Sequence, residues 1–172
     1  MEKSTRCSHS HPNLAQVPNL NAPFGKECRT LFRADSKMDL LGIDVSSLEL
    51  RCLSHYLAKY DDGAYGKLLL EEDIHTTNQK AAGLSTRDQA KTFIYCFLYG
   101  AGNEKIGQIV GKGKVEGSRL KKEFLSKIPA LKSLRDAVQK KAEQGFITGL
   151  DGRKVPVRSS HAALNTLLQS AG

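Results

Sequence analysis

The apolar and polar positions in the first half of the chain predict a strand followed by a helix. In Met38–Val45 apolar side chains run together as in a buried strand, which ends near the carboxylate of Asp44. Over residues 46–63 apolar side chains recur at helical spacing, which predicts an amphipathic helix. Ser46 or Ser47 can cap the start of that helix through its hydroxyl.

A second helix is predicted over Arg87–Tyr99. Thr86 and Gln89 match a capping box at its start, and Gly100 follows its end, where helices commonly stop. Residues 1–37 are punctuated by proline and glycine, so we expect them to be extended and loop-like.

The last third of the chain predicts more helix and one hairpin. Residues 103–144 have a mostly helical pattern, interrupted near Gly111–Gly113 and by Pro129. The dipeptide Asp151-Gly152 is a favoured two-residue turn between short β-prone runs, so we expect a hairpin over residues 147–159.

The final residues, 161–172, start a helix whose apolar positions continue to the last residues without a cap. Such a helix is expected to leave apolar surface exposed. Taken together, the elements predict a mixed α/β fold that is rich in helix.

Composition excludes several classes of protein. The 172 residues are 40% apolar and 26% charged, which is typical of a globular domain and not of a disordered chain. No run of about 18 uncharged apolar residues predicts a membrane span, and the N-terminal residues lack an apolar signal segment. Four cysteines lie far apart without a CxxC pair, so neither a thiolate zinc site nor a disulfide framework is expected. We expect a cytoplasmic protein with reduced cysteines.

The net charge of +8 lies entirely in the second part of the chain. Residues 1–100 contain 12 lysines and arginines and 12 acidic residues, whereas residues 101–172 contain 14 and 6. A segregated basic half indicates a polyanionic partner such as nucleic acid. A solvated helix face is the alternative.

Asp44 is the first candidate for chemistry. A carboxylate at the end of an apolar strand, just before a helix, can bind a divalent cation such as Mg²⁺ together with substrate phosphates. A turn or capping role is the alternative.

Arg87, Lys91, Tyr95 and Tyr99 follow one another at intervals of four residues. Because four residues exceed one helical turn by only about 40°, these side chains form a stripe along one helix face. Two cations near a helix N-terminus favour a polyphosphate, and the two phenol rings offer a surface on which a base can stack. The alternative is an ordinary amphipathic helix with core tyrosines.

Three further sites are weaker candidates. His75 can donate to a phosphate, or it is a surface or capping residue. Asn165 and Gln169, four residues apart, can reach acceptors in the DNA minor groove, or they are ordinary helix polarity. Glu49 lies three residues after Ser46, and this spacing of serine and glutamate matches a capping box.

In order along the chain, these segments resemble motifs of the DNA polymerase I family, family A. Its motif A is similar to IDVSSLELRCLSHYL, and its motif B, the O helix of the fingers with the pattern Arg-x3-Lys-x6-7-Tyr-Gly, is similar to RDQAKTFIYCFLYGAG. Its primer-contacting segment resembles STRCSHSHPNLAQVP, and the segment before its motif C resembles GRKVPVRSSHAALNTLLQSAG. The resemblance covers essentially the whole chain and is greatest for replicative polymerases of short-tailed phages.

The resemblance implies template-directed DNA synthesis, in which nucleotidyl transfer adds deoxynucleoside triphosphates to a primer 3′-hydroxyl. It implies that Asp44, with the Val45 carbonyl beside it, binds catalytic Mg²⁺, of which the complete enzyme uses two ions. Glu49 would hydrogen-bond Tyr95 and leave no room for a ribose 2′-hydroxyl. The residues that would hold the triphosphate are His75, Arg87 and Lys91.

The resemblance also implies contacts with primer–template DNA. Tyr95 would pack on the incoming nucleotide, and Tyr99 would lie near the templating position. Lys91 would also serve as a general acid for the departing pyrophosphate. The residues implied along the minor groove are Arg6, Gln16, Asn165 and Gln169. Thr5 departs from the family pattern, which usually has glycine before the arginine.

As part of a family A polymerase, residues 1–80 would be a palm segment with motif A and residues 81–145 the fingers with the O helix. Residues 146–172 would form the hairpin and the start of the helix that leads to motif C. The His-Asp-Glu turn of motif C, which carries the second metal carboxylate, does not occur in the sequence. We therefore expect a fragment that is inactive alone and has the missing C-terminal palm segment as a partner. Because Met38–Val45 would lack its neighbouring strands, poor solubility is expected.

Two alternatives remain at this point. A single-subunit RNA polymerase shares the palm and a similar fingers helix, but a carboxylate at Glu49 argues against it. A non-catalytic DNA-binding remnant of a polymerase is supported by the basic second half and the missing motif C. The sequence does not indicate whether a processivity factor is a further partner.

Overall fold

The computed structural model describes residues 10–11 and 13–171. These residues form nine α-helices, two short 3₁₀ helices and a two-stranded antiparallel sheet, so the expected helix-rich α/β class is confirmed. The chain divides into two compact units at the junction of Ser46 and Ser47. None of the described helices is long and apolar enough to cross a lipid bilayer.

The first unit contains little regular structure. It has a 3₁₀ turn at Leu14–Gln16 and helix α1 at Gly25–Thr30. The prediction of a strand at Met38–Val45 is wrong. A strand needs a neighbouring backbone with which to form hydrogen bonds, and the only sheet within the described residues is the C-terminal hairpin. The apolar side chains of this segment face solvent, with Leu41 81% and Ile43 84% exposed.

The second unit is mainly helical. Its helices are α2 (Leu48–Asp61), α3 (Ala64–Glu71), α4 (Ile74–Ala82), α5 (Arg87–Leu98), α6 (Asn103–Gln108), α7 (Lys114–Lys127), α8 (Pro129–Ala142) and α9 (Ala163–Gln169), the last preceded by a 3₁₀ turn at Ser160–Ala162. The predicted interruptions are present. The glycine-containing segment separates α6 from α7, and Pro129 is the first residue of α8, where its missing N–H breaks no helical hydrogen bond.

Helix α2 begins where the sequence predicts, but without the predicted cap. Its N-cap is Ser47, whose backbone is left-handed (φ 54°) and whose side chain makes no capping hydrogen bond. The capping box of Ser46 with Glu49 is therefore wrong, since Glu49 is not at the third helical position that this motif needs. Another partner of Glu49 is described below.

Helix α5 begins at Arg87 as predicted, ends at Leu98, one residue before the predicted Tyr99, and carries much of the core. The Thr86 hydroxyl accepts from the backbone N–H of Gln89 to form the capping box, and Gly100 (φ 74°) follows the helix end. On its buried face Phe93 lies edge-to-face on Phe124 of α7, with ring centroids 5.1 Å apart. This packing fixes which face of α5 is turned away from the core.

The C-terminal hairpin is confirmed, with a different turn. Strands β1 (Phe146–Thr148) and β2 (Lys154–Pro156) are antiparallel, and the Gly149 N–H donates to the Arg153 carbonyl at 2.9 Å. The loop is therefore the three residues 150–152 instead of two. Gly152 takes the left-handed position (φ 81°) that such three-residue loops require.

The expectation that the last helix exposes apolar surface is wrong. Helix α9 packs against α2, α8 and β1. Its buried apolar side chains are Ala163, Leu164, Leu167 and Leu168. The apolar face that runs to the end of the sequence is thus covered by elements of the same unit.

Candidate functional site

The predicted stripe is present on helix α5. Arg87 and Lys91 are exposed, Tyr95 is half-buried, and Tyr99 is the C-cap residue. Since the opposite face of α5 is buried, the two cations and two phenols lie together on its outer side. Within the described residues, Lys91 has no hydrogen bond or ion pair.

Arg87 is bound by Asp73, the N-cap residue of α4. Arg87 Nε donates to Asp73 Oδ2 at 2.5 Å, and Nη2 donates to Oδ1 at 3.1 Å. The same carboxylate accepts from the His75 backbone N–H at 3.2 Å and from the Thr76 hydroxyl at 2.8 Å. Hydrogen bonds from the Arg87 guanidinium and then from Thr76 hold the pKa of Asp73 well below its usual range.

Sequence reasoning did not single out Asp73. An aspartate directly before a helical run is a typical N-cap residue, so the sequence alone could have predicted that Asp73 caps α4. Its pairing with an arginine on the next helix depends on how α4 packs on α5, which no local pattern reports.

His75 lies beneath the stripe, on the first turn of α4. It is only 8% exposed, which excludes the surface alternative, and its ring centroid is 6.3 Å from that of Tyr95. Its Nδ1 is buried and has no hydrogen-bond partner among the described residues. Burial first, and the nearby Arg87 and Lys91 cations, lower the pKa of His75 despite the opposing charge of Asp73.

The two tyrosines continue this surface toward α2. The Tyr95 and Tyr99 ring centroids are 6.3 Å apart. We expected Tyr95 to hydrogen-bond Glu49, but it is the Tyr99 hydroxyl that donates to Glu49 Oε1, at 3.0 Å. Burial and then the Glu49 charge raise the pKa of Tyr95, while a hydrogen bond with Ser47 lowers it.

Asn165 and Gln169 lie one turn apart on α9, and both are half-buried. The Oδ1 atom of Asn165 is buried and accepts no hydrogen bond within the described part of the chain. The structure therefore places these amides on one side of α9.

The other predicted residues lie in the first unit. Asp44 and Val45 are exposed in the irregular segment, and Gln16 is exposed at the end of the 3₁₀ turn. Arg6 and Thr5 lie outside the described residues. Across residues 10–11 and 13–171, no group of three or more histidine, cysteine or acidic side chains could hold a metal ion.

A cationic cavity of about 470 Å³ was not anticipated. Lys114, Lys121 and Arg135 line it from α7 and α8, beside His161. The Lys121 ammonium donates to the Ala101 carbonyl at 2.6 Å, and burial followed by the Arg135 charge lowers the pKa of Lys121. Part of the excess positive charge of residues 101–172 is thus gathered into one concave surface.

Comparisons with known proteins agree with the motif resemblance. The chain is 53% identical to the "DNA-directed DNA polymerase" of Enterobacteria phage T3, and equally to that of Escherichia phage T7, over 97% of this chain and 27% of each phage protein. It is 25% identical to the "DNA polymerase I, thermostable" of Thermus aquaticus over 96% of this chain and 21% of that protein.

The fold is also shared with a solved polymerase. The POL domain of Pol1 from M. smegmatis, solved in complex with DNA primer-template and dNTP, superposes with a TM-score of 0.83 over 99% of this chain and 34% of that chain, at 20% identity. The chain spans about a quarter of the length of its phage relatives. The sequence model of DNA polymerase family A matches residues 1–171, and the chain therefore belongs to that family.

Proposed function

We propose that this chain provides the nucleotide-binding surface, and one metal-binding carboxylate, of a template-directed DNA polymerase. The observation that carries the proposal is the grouping of Arg87, Lys91 and His75 beside the Tyr95 ring. A triphosphate needs several positive or donor groups within its own length, and the attached base needs an aromatic face. The phage relatives that are 53% identical are named DNA-directed DNA polymerases.

Arg87 and Lys91 would bind the phosphates and neutralise the charge that develops on pyrophosphate as the primer 3′-hydroxyl attacks the α-phosphorus. Electrostatic stabilisation of this kind is usually the largest single contribution to catalysis. Lys91, which is exposed and has no ion-pair partner in the described part of the chain, is also our candidate for the general acid. Neutral His75 would donate a hydrogen bond to a phosphate oxygen.

Family A DNA polymerases use divalent metal ions. We propose Mg²⁺, with the Asp44 carboxylate and the Val45 carbonyl as ligands, because hard oxygen donors suit this ion. The bound metal would polarise the reacting phosphate. Because the described residues contain no group of three or more histidine, cysteine or acidic side chains that could hold a metal ion, Asp44 is part of an incomplete site, and further ligands have to come from outside this set.

Primer–template DNA is the proposed macromolecular partner. Gln16, Asn165 and Gln169 would follow the minor groove, with Arg6, and Tyr99 would lie near the templating base. The cationic cavity lined by Lys114, Lys121 and Arg135 supports an anionic partner. The M. smegmatis relative was solved with such DNA.

We further propose that residues 1–80, 81–145 and 146–172 serve as the palm segment, the fingers and the approach to motif C. The remaining palm would be a partner of this chain. Since the relatives that are 53% identical come from bacteriophages, we place its activity in the cytoplasm of the host cell.

The proposal is tested by the binding of a fluorescent deoxynucleoside triphosphate to the 172-residue chain, followed by anisotropy in the presence of Mg²⁺. Arg87→Ala and Lys91→Ala should each weaken binding roughly ten-fold, as expected for the loss of a charge-assisted hydrogen bond. Lys80→Ala, an exposed lysine at the far end of α4, is the matched control and should bind as the original chain does. Equal affinities in all four proteins, or no saturable binding at all, would overturn the proposal.

A non-catalytic DNA-binding remnant is the second candidate, favoured by the cationic cavity. It predicts salt-sensitive binding of primer–template DNA together with nucleotide binding that Arg87→Ala does not change. The same set of variants therefore separates the two candidates.

A further inference from the structure

We infer that Asp73 is a positioning residue of the triphosphate site, which holds the Arg87 guanidinium until a nucleotide triphosphate replaces the Asp73 carboxylate as the partner of Arg87. This inference rests on the proposed function, since it takes Arg87 as a phosphate ligand. It adds a residue that neither the motifs nor the family resemblance assigned.

The argument begins with the donors that Asp73 occupies. Arg87 uses Nε and Nη2, two neighbouring corners of its planar fork, to bind both oxygens of the carboxylate. Adjacent corners of the guanidinium are also those that bind a phosphate in the bidentate manner. The Nε–Nη2 edge of Arg87 can therefore hold the carboxylate or a phosphate, but not both.

The carboxylate itself is fixed independently of Arg87. It accepts from the His75 backbone N–H and the Thr76 hydroxyl, so it belongs to the first turn of α4. The Arg87 guanidinium, in contrast, lies at the end of a long side chain that starts from the first residue of α5. When the partners exchange, the arginine can move while the carboxylate keeps its two helix bonds.

The ion pair is also open to exchange. The Arg87 and Asp73 side chains are 51% and 43% exposed, and ion pairs at such positions are weak because water competes for both partners. A triphosphate offers more negative charge than one carboxylate and, in the proposed site, contacts Lys91 and His75 at the same time. The apparent affinity falls in proportion to the fraction of time that Arg87 is free of Asp73. For a weak ion pair that fraction is about one half to one fifth, so the pair would reduce nucleotide affinity about two- to five-fold.

Asp73→Asn is the informative variant. Asparagine is as good an N-cap as aspartate, so the first turn of α4 is retained while the competing charge is removed. Glu72→Gln is the matched control, because it removes a charge one residue away, and Gln can still accept from Thr77. Asp73→Ser, which also caps helices, replaces Asp73→Asn if circular dichroism shows loss of helix.

The experiment measures the affinity of each variant for the fluorescent triphosphate with Mg²⁺. Asp73→Asn should bind about two- to five-fold more tightly than the original chain, Glu72→Gln should not, and the gain should vanish in the Arg87→Ala background. Weaker binding by Arg87→Ala with no gain in Asp73→Asn overturns this inference alone. A gain that persists without Arg87, or that Glu72→Gln reproduces, also overturns it. If Arg87→Ala does not weaken binding, the proposed function fails as well.

Discussion

The Tyr99 hydroxyl at the end of α5 donates a hydrogen bond to the Glu49 carboxylate on the first turn of α2, at 3.0 Å. The two residues are fifty positions apart, so the bond links the tyrosine end of the stripe to the segment that resembles motif A. We expect Tyr99→Phe and Glu49→Ala, each of which removes one partner of the bond, to show a coupling energy of about 1 kcal/mol in a double-mutant cycle of urea unfolding. Additive effects of the two substitutions would contradict a direct bond.

Glu49 should also govern the choice of sugar. In a complete polymerase that contains this chain, Glu49→Ala should increase incorporation of ribonucleotides relative to deoxyribonucleotides, because the carboxylate no longer fills the space beside the 2′ position. Primer extension with each nucleotide type measures this ratio. Unchanged selectivity would count against Glu49 as the residue that excludes the 2′-hydroxyl, and would reopen the RNA polymerase alternative.

His75 should make stability depend on pH. The pKa of His75 in the folded chain is below the ordinary 6.5. As the pH falls below about 6.5, His75 is therefore protonated in the unfolded chain before it is protonated in the folded chain. The free energy of unfolding should therefore decrease between pH 7 and pH 5.5, and His75→Gln should flatten this decrease. Urea unfolding at the two pH values gives the comparison, and an identical slope in both proteins would refute the assignment.

Phe124 should stabilise helix α5 through its buried face. It is fully buried and lies edge-to-face on both Phe93 and Phe97 of α5. Phe124→Ala should lower the free energy of unfolding by about 3–5 kcal/mol, since the cavity lies between packed helices. Phe124→Leu, measured by the same thermal or urea unfolding, should lose less. A loss below about 1 kcal/mol for the alanine variant would show that α5 does not depend on this contact.

The exposed apolar segment of the first unit should limit solubility. Replacing Leu41 and Ile43 with serine should reduce light scattering and dye binding by the 172-residue chain, because both side chains face solvent. Val115→Ser, at an 87% exposed position on α7, serves as the control for removing one apolar group elsewhere. Equal aggregation of all three proteins would show that Met38–Val45 is not the aggregating segment.

Local chemistry accounts for the elements that were predicted correctly. Thr86 with Gln89 starts α5, Gly100 ends it, and the four-residue spacing places the stripe on one side. These features depend on residues within a turn or two of each other, so the sequence alone determines them. The family assignment rests on ordered motifs and is equally a property of the sequence.

Tertiary packing decided the rest, because it depends on segments far apart in the chain. Met38–Val45 is not a strand since strand formation needs a second backbone beside it, and α9 hides its apolar face because α2 and α8 cover it. His75 is buried rather than on the surface, Asp73 meets Arg87, and Tyr99 rather than Tyr95 reaches Glu49. The sequence thus identified the cations and the aromatic rings, whereas only the tertiary structure, through the packing of α4 on α5 and the Tyr99–Glu49 hydrogen bond, determined which residues they contact.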